Sequence, residues 1–264
     1  MKRIGLIGGT GLFGLNSESS ELMSSWNLEN TTNLVVETPY GEVPITVFNF
    51  EKDKNNCKVF FLQRHHNENG KTKLPHKINH LANISAILSC DVEFTVAVCS
   101  VGAVNEDFVP GMVGLANQYI DFSGMPISFQ DCDAEFTSMT TPFDNDLNEH
   151  LLKSLRESQP QLSELDDDKF FLTYWFNPGP QFETPAEIKA ISKLGGDCVG
   201  MTLAPEAKLM AEKGHKFSAI LIAGNYAAGL DPSNPIAKLD HHKISSKATS
   251  RSDPVLYSLS NLFD

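Results

Sequence analysis

Five short apolar runs in this chain each stop abruptly at glycines or polar residues, and that arrangement constrains the fold most. Residues 3–7 run into Gly8-Gly9-Thr10-Gly11, residues 58–62 into Arg64-His65-His66, and residues 94–99 into Ser100-Val101-Gly102-Ala103. Residues 170–175 run into a Pro/Gly turn, and residues 217–223 into Gly224-Asn225-Tyr226-Ala227-Ala228-Gly229. Runs this short and apolar read as buried strands. Between them, Ile78, Leu81, Ile84 and Leu88 recur at helical spacing after Pro75, which predicts a helix starting there. Thr184-Pro185-Ala186-Glu187 is a capping-box pattern with proline at the first helical position. Segments 33–37 and 43–48, around Thr38-Pro39-Tyr40-Gly41, predict a hairpin. Strands alternating with helices predict an α/β fold, a twisted mixed central sheet flanked by helices, with ligands beyond the strand ends.

The chain has 264 residues, with no repeat and no linker-like stretch, so one domain spanning 1–264 is expected. Lys plus Arg number 21 against 33 Asp plus Glu, a net charge of −12, which argues against a nucleic-acid partner because backbone binding needs a basic face. Apolar runs such as 94–99 and 218–223 fall far short of the ~20 residues of a membrane span. Glycines interrupt the N-terminal segment too early for a signal-peptide core, so a cytoplasmic location is expected. The five cysteines are scattered without a C-x-x-C pair, which points to reduced thiols and no metal site.

Several clusters carry chemistry. Gly9-x-Gly11-x-x-Gly14, with Glu37 further on, formally matches a dinucleotide fingerprint. That reading needs a helix and then a parallel strand, whereas a serine-rich stretch and a hairpin follow. The same glycines make either a tight turn or, with the Thr10 hydroxyl, a nest of N–H groups for an anion. Arg64 at a strand end can fork onto two phosphate oxygens and His65 can add a third bond; the alternative is a solvated turn. Phe182 beside Glu183 suits a planar heterocycle, the ring packing on its face and the carboxylate accepting N–H bonds, although a carboxylate is also favoured near a helix N-terminus. Met201-Thr202 sits at another loop-to-helix junction, where Met201 equally suits the core. Asn225, ending the most apolar strand, needs partners for its amide.

Taken in order, the motifs Ile4-Gly-Leu-Ile-Gly-Gly-Thr-Gly-Leu12, Thr38-Pro-Tyr-Gly41, Arg64-His65, Pro75-His-Lys-Ile-Asn79, Pro110-Gly111, Gly179-Pro-Gln-Phe-Glu-Thr184, Ala186-Glu187, Val199-Gly-Met-Thr202, Pro205-Glu206-Ala207 and Asn225-Tyr-Ala-Ala-Gly229 resemble the trimeric purine nucleoside phosphorylases and methylthioadenosine phosphorylases. The resemblance implies that inorganic phosphate displaces a purine from a nucleoside, with inversion, through an oxocarbenium-like transition state, using no cofactor or metal. It implies phosphate contacts from Thr10, Arg64, His65 and Thr202, sugar contacts from Met201 and Ser100, and base contacts from Phe182, Glu183, Asn225, Val101 and Gly102. Asn225, Glu183 and His65 are the catalytic candidates, and a homotrimer is the implied assembly.

Within the resemblance the branches divide. The N-terminal motif and the Thr-Pro-Tyr-Gly turn look like the methylthioadenosine branch, which usually has Ser after the Phe of the Gly-Pro motif and an Asp-x-Asp pair where this chain has Asn225-Tyr226-Ala227. Glu183 with Asn225 instead resembles the 6-oxopurine pattern. A methylthioinosine phosphorylase or a broad-specificity member combines both features, with a 6-oxopurine nucleoside phosphorylase as the alternative. His66, His80, Leu81, Cys99 and Gly224 depart from common family residues, which leaves a catalytically weakened purine-binding homologue as a third reading. His241 and His242 fall near where the family places a 5′-side donor.

Overall fold

The computed structural model describes residues 1–9, 26–53, 55–66, 72–133, 135–162, 164–240 and 253–263. Among them nine strands belong to one mixed sheet: β1 (Lys2–Gly8), β2 (Asn27–Thr38), β3 (Gly41–Lys52), β4 (Asn55–Gln63), β5 (Phe94–Ala103), β6 (Val113–Ile120), β7 (Phe171–Phe176), β8 (Cys198–Gly200) and β9 (Phe217–Tyr226). Five helices accompany them: α1 (His80–Ser89), α2 (Asn145–Ser158), α3 (Pro185–Lys193), α4 (Leu203–Glu212) and α5 (Asp253–Asn261).

The strand order is β2-β3-β4-β1-β5-β8-β7-β6-β9, and β9 also pairs with β5, so β5, β8, β7, β6 and β9 close into a ring. β5 makes this closure possible by its length. Its first half lies between β1 and β9, both parallel to it, and beyond Val98 the side left by β1 is taken by antiparallel β8, with Gly102 opposite Val199. The other four strands extend from β5 as a wing that ends in the β2–β3 hairpin.

Side-chain alternation builds a core on each face of the sheet. Ile7, Leu62, Ala97 and Leu221 face a cluster that includes Ile84 and Ile87 of α1 and Leu209 and Met210 of α4. Ile4, Leu6, Val96 and Ile220 face the other, with Leu151 and Leu155 of α2 and Val255 and Leu259 of α5. The central strands are apolar throughout because both faces are covered.

The expected strands and hairpin are present, and each extends beyond its apolar run. Ladder hydrogen bonds carry β9 through Gly224 and Asn225 to Tyr226, so the polar end is itself strand. The helix expected from Pro75 is corrected: Pro75–Lys77 is a 3-10 turn, Ile78 is extended, and α1 begins at His80. Asn79 sets that start, its side chain accepting from the Ala82 N–H at 3.1 Å. The capping box of α3 forms as expected, with Thr184 and Glu187 bonding each other's backbone N–H. The segment after β1 leads to β2 and β3, an antiparallel hairpin at the sheet's far edge, and Glu37 lies on β2, away from β1. A dinucleotide fold would instead place the next strand parallel and adjacent to β1.

Candidate active site

A cleft of about 330 Å³ opens where the end of β5 passes from the wing into the ring. Gly9, Arg64 and His65 line it from the ends of β1 and β4, Cys99 to Gly102 from β5, Met201 and Thr202 from the β8–α4 junction, and Asn225 from β9. Phe182 and Glu183 close it from the loop before α3. The cleft therefore gathers every described residue assigned to phosphate, sugar or base from sequence. Thr10, His241 and His242 lie outside the described residues.

Arg64 is 1 % exposed and its backbone N–H donates to Gly8 O at 2.8 Å, fastening β4 to β1. Its fork is occupied. Nε donates to Glu206 Oε1 at 2.5 Å and Nη2 to Glu206 Oε2 at 2.9 Å, while Nη1 donates to Val98 O at 3.1 Å and Nη2 also reaches Cys99 Sγ at 3.4 Å. The expected two-pronged grip on phosphate is thus corrected: of the guanidinium's five N–H groups, one on Nη1 is left by these bonds. Sequence reasoning missed Glu206 as this partner. A signal was present, because Glu206 stands on the α4 face that carries Leu203, Ala207 and Met210, and an acid on an apolar stripe needs a buried cation.

His65 is partly buried, and its Nδ1 lies 2.9 Å from Lys73 O. A carbonyl only accepts, so Nδ1 carries the hydrogen. Lys73 N–H returns a bond to His65 O at 2.9 Å, which pins the ring's backbone as well. His66 turns away from the cleft: its Nε2 lies 2.8 Å from Asn83 Oδ1, and Asn83 Nδ2 donates to Arg64 O at 3.1 Å. Burial holds His66 below the usual histidine range.

The Met201-Thr202 corner is set by Tyr174 of β7. Its fully buried hydroxyl accepts from the Thr202 N–H at 3.0 Å and the Leu203 N–H at 3.4 Å, capping α4 where Thr202 makes no side-chain cap. Gly200 is required there, because a Cβ would stand 2.5 Å from that hydroxyl oxygen. Thr202 Oγ1 is 3.8 Å from Cys99 Sγ. Cys99 is buried, and burial raises its thiol above the usual range, so it is protonated near neutral pH.

Among the residues assigned to the base from sequence, Phe182 is 39 % exposed, which leaves its ring open for stacking, while Val101 is buried beside Gly102. Glu183 is 8 % exposed, and burial raises its carboxyl, opposed by a hydrogen bond from Asn177 Nδ2 to Oε1 at 2.6 Å. Asn225 Nδ2 donates to Tyr226 O at 2.5 Å, leaving the second amide hydrogen and Oδ1 for other partners. Among the described residues no group of three His, Cys, Asp or Glu is placed to hold a metal ion, and no helix is long and apolar enough to cross a membrane.

The cleft at the strand ends thus joins a buried cation, an ordered imidazole, an aromatic face and a buried carboxyl group. The chain belongs to the phosphorylase superfamily, whose family profile matches residues 3–257. It is 32 % identical over 265 residues to the 6-oxopurine nucleoside phosphorylase of Pyrococcus furiosus, covering 97 % of this chain and 90 % of that protein. It is 32 % identical over 231 residues to a probable S-methyl-5'-thioinosine phosphorylase of Thermodesulfovibrio yellowstonii, covering 86 % and 79 %. Among solved structures it resembles a methylthioadenosine phosphorylase from an antarctic soil metagenomic library, with TM-score 0.77, 24 % identity and coverage of 98 % and 85 %. The Schistosoma mansoni methylthioadenosine phosphorylase in complex with adenine is similar at TM-score 0.76, 21 % identity and coverage of 100 % and 91 %, a likeness of fold.

Proposed function

We propose that this protein is a pentosyltransferase that cleaves purine (5'-methylthio)nucleosides with inorganic phosphate, releasing the base and a (5-methylthio)ribose 1-phosphate. A phosphate oxygen forms the bond to C1′ as the C1′–N9 bond breaks, and the electron pair leaves with the purine. Arg64, His65, Thr202 and, outside the described residues, Thr10 hold the nucleophile. Met201 and Ser100 contact the sugar, and Phe182, Val101 and Gly102 contact the base. Asn225 stabilises charge gathering on the leaving purine, and Glu183 holds its edge. Phosphate enters as co-substrate, and the residues above supply the chemistry without a cofactor.

The observation that carries this reading is the buried Glu183 carboxylate in the same cleft as Arg64 and His65. It also favours a 6-oxopurine. Such a base carries a hydrogen on N1, which an ionised carboxylate accepts; a 6-aminopurine presents a lone pair there. Two relatives above 30 % identity, named for 6-oxopurine nucleosides and for methylthioinosine, support the same choice. A single-domain cytoplasmic homotrimer completes the proposal, and light scattering at three times the monomer mass tests the assembly.

The deciding experiment is base release from methylthioinosine, inosine, methylthioadenosine and adenosine, each with and without phosphate. Phosphate-dependent release, greater for the two 6-oxopurines, is expected. Binding of base without turnover in the folded protein would move the weakened homologue to first place, and preference for methylthioadenosine would remove the 6-oxo reading.

A further inference from the structure

Asn177 lies just beyond β7, in none of the motifs that point to the site. Its backbone N–H donates to Gly200 O at 2.9 Å, which fastens it beside Met201. The chain then turns at Gly179, whose φ of 66° suits glycine and where a Cβ would stand 2.6 Å from Met201 Sδ. Through this turn the side chain of Asn177 reaches forward six residues to Glu183.

The hydrogen-bond pattern fixes which way the amide points. Asn177 Oδ1 lies 3.3 Å from the Gly179 N–H, and a backbone N–H can only donate, so the oxygen faces Gly179. The NH₂ group therefore faces Glu183 Oε1, at 2.6 Å, and that oxygen is the acceptor. A donor aimed at a carboxylate favours its charged form.

Other surroundings push the other way. Burial favours the neutral acid, and so does the negative charge of Glu187 on α3, whose Oε2 is itself turned toward the Thr184 N–H and hydroxyl. Glu183's own backbone N–H is the other group that favours the charged form. Asn177 is thus the side chain that opposes burial and Glu187 together.

The charge of Glu183 decides which base it pairs with. An ionised carboxylate accepts from N1–H of a 6-oxopurine, whereas a protonated one donates to the N1 lone pair of a 6-aminopurine. We propose that Asn177 is a positioning residue that holds Glu183 as a hydrogen-bond acceptor toward the base, and so selects purines that carry a hydrogen on N1. This rests on the base-binding role of Glu183 proposed above.

Asn177→Ala removes the donor. Asn177→Asp keeps the shape and the acceptor for Gly179 but sets a second carboxylate oxygen against Oε1, so the pair shares a proton. Both variants and the wild type are compared in kcat and KM for inosine and adenosine, from pH 5.5 to 9 at saturating phosphate, with melting curves to confirm folding. Calorimetric binding of hypoxanthine and adenine gives a readout independent of turnover. The expected result is a fall of about tenfold or more in the inosine-to-adenosine ratio of kcat/KM for both variants near neutral pH, larger for Asn177→Asp. The acid limb of the inosine profile moves to higher pH.

Equal losses on both substrates, or an unmoved ratio and limb in a folded Asn177→Asp protein, overturn the proposal. So does a wild type that prefers adenosine. A wild type that binds hypoxanthine but releases no base from any nucleoside defeats the phosphorolysis reading, and calorimetry then judges Asn177 alone: a preference for hypoxanthine over adenine that falls about tenfold or more in Asn177→Asp sustains it, and a smaller change or none overturns it.

Discussion

Arg64 and Glu206 stand 142 positions apart in sequence and meet side by side, Nε to Oε1 at 2.5 Å and Nη2 to Oε2 at 2.9 Å, with both side chains 1 % exposed. Such a pair ties the end of β4 to α4 across the floor of the cleft. Removing one partner leaves the other charge buried and uncompensated. Glu206→Ala is expected to destabilise the fold by about 3–5 kcal/mol. The double variant Arg64→Met with Glu206→Met recovers much of that stability while phosphate-dependent base release stays lost. Urea unfolding of the single and double variants, beside turnover, checks both halves.

In the proposed reaction Asn225 and Glu183 divide the work on the base, and their variants are expected to separate in kinetics. Asn225→Ala removes a donor that strengthens as charge builds on the purine, so kcat falls by about 10²–10³-fold. In the same proposal Glu183 holds the N1 edge before and during reaction, so Glu183→Ala is expected to raise KM for the 6-oxopurine nucleosides as well as lowering kcat. Steady-state kinetics with inosine at saturating phosphate distinguishes the two patterns. Equal losses in kcat alone for both would contradict this division.

Much of this site was legible because its residues stand at strand ends and loop-to-helix junctions that punctuate the sequence. Asn225 marks the end of an apolar run, and Phe182-Glu183 precedes a capping box, so local pattern located both. The partners that hold these residues were not legible, because they arrive through tertiary contact. Tyr174 reads as one more aromatic in a strand until its hydroxyl is seen to cap α4 28 residues later. Asn177 reads as loop. In the fold, β8 has only three residues, too few for any periodicity, and the ring depends on the β5–β9 pairing, which brings residues as far apart in sequence as Thr95 and Phe217 side by side. Pro75 gave a false helix start because proline suits a 3-10 turn as well as a first helical position, and the Asn79 cap supplied the true one.

Cys99 places a thiol where the cleft meets Arg64 and Thr202, with Sγ 3.4 Å from Nη2 and 3.8 Å from Thr202 Oγ1. A thiol is a weak donor, and a hydroxyl is a stronger one in nearly the same volume. Cys99→Ser is therefore expected to lower KM for phosphate a few-fold, with little change in KM for the nucleoside. Varying phosphate at fixed inosine tests this. The buried thiol, held protonated, is also expected to react slowly with alkylating reagents in the native protein.

His80 carries an acid-sensitivity that resides in the fold. It is 5 % exposed, its Nδ1 has no hydrogen-bond partner among the described residues, and burial together with the charge of Arg64 lowers its pKa to about 3. The imidazole is thus neutral near neutral pH, and its 3.9 Å approach to Glu206 Oε1 is not an ion pair. The unfolded chain binds a proton at His80 below its ordinary pKa of 6.5, whereas the folded chain does so only below about 3. Between those values the unfolded state holds more protons, so stability falls as pH drops from about 6.5 toward 3 and is fully present above that window. This one group contributes a slope of about 1 kcal/mol per pH unit at its steepest. His80→Leu removes the proton acceptor while keeping an apolar side chain against the core. It is expected to flatten the pH dependence of unfolding between pH 4 and 6, read from urea midpoints across that range, and an unchanged slope would show that His80 is protonated in the fold.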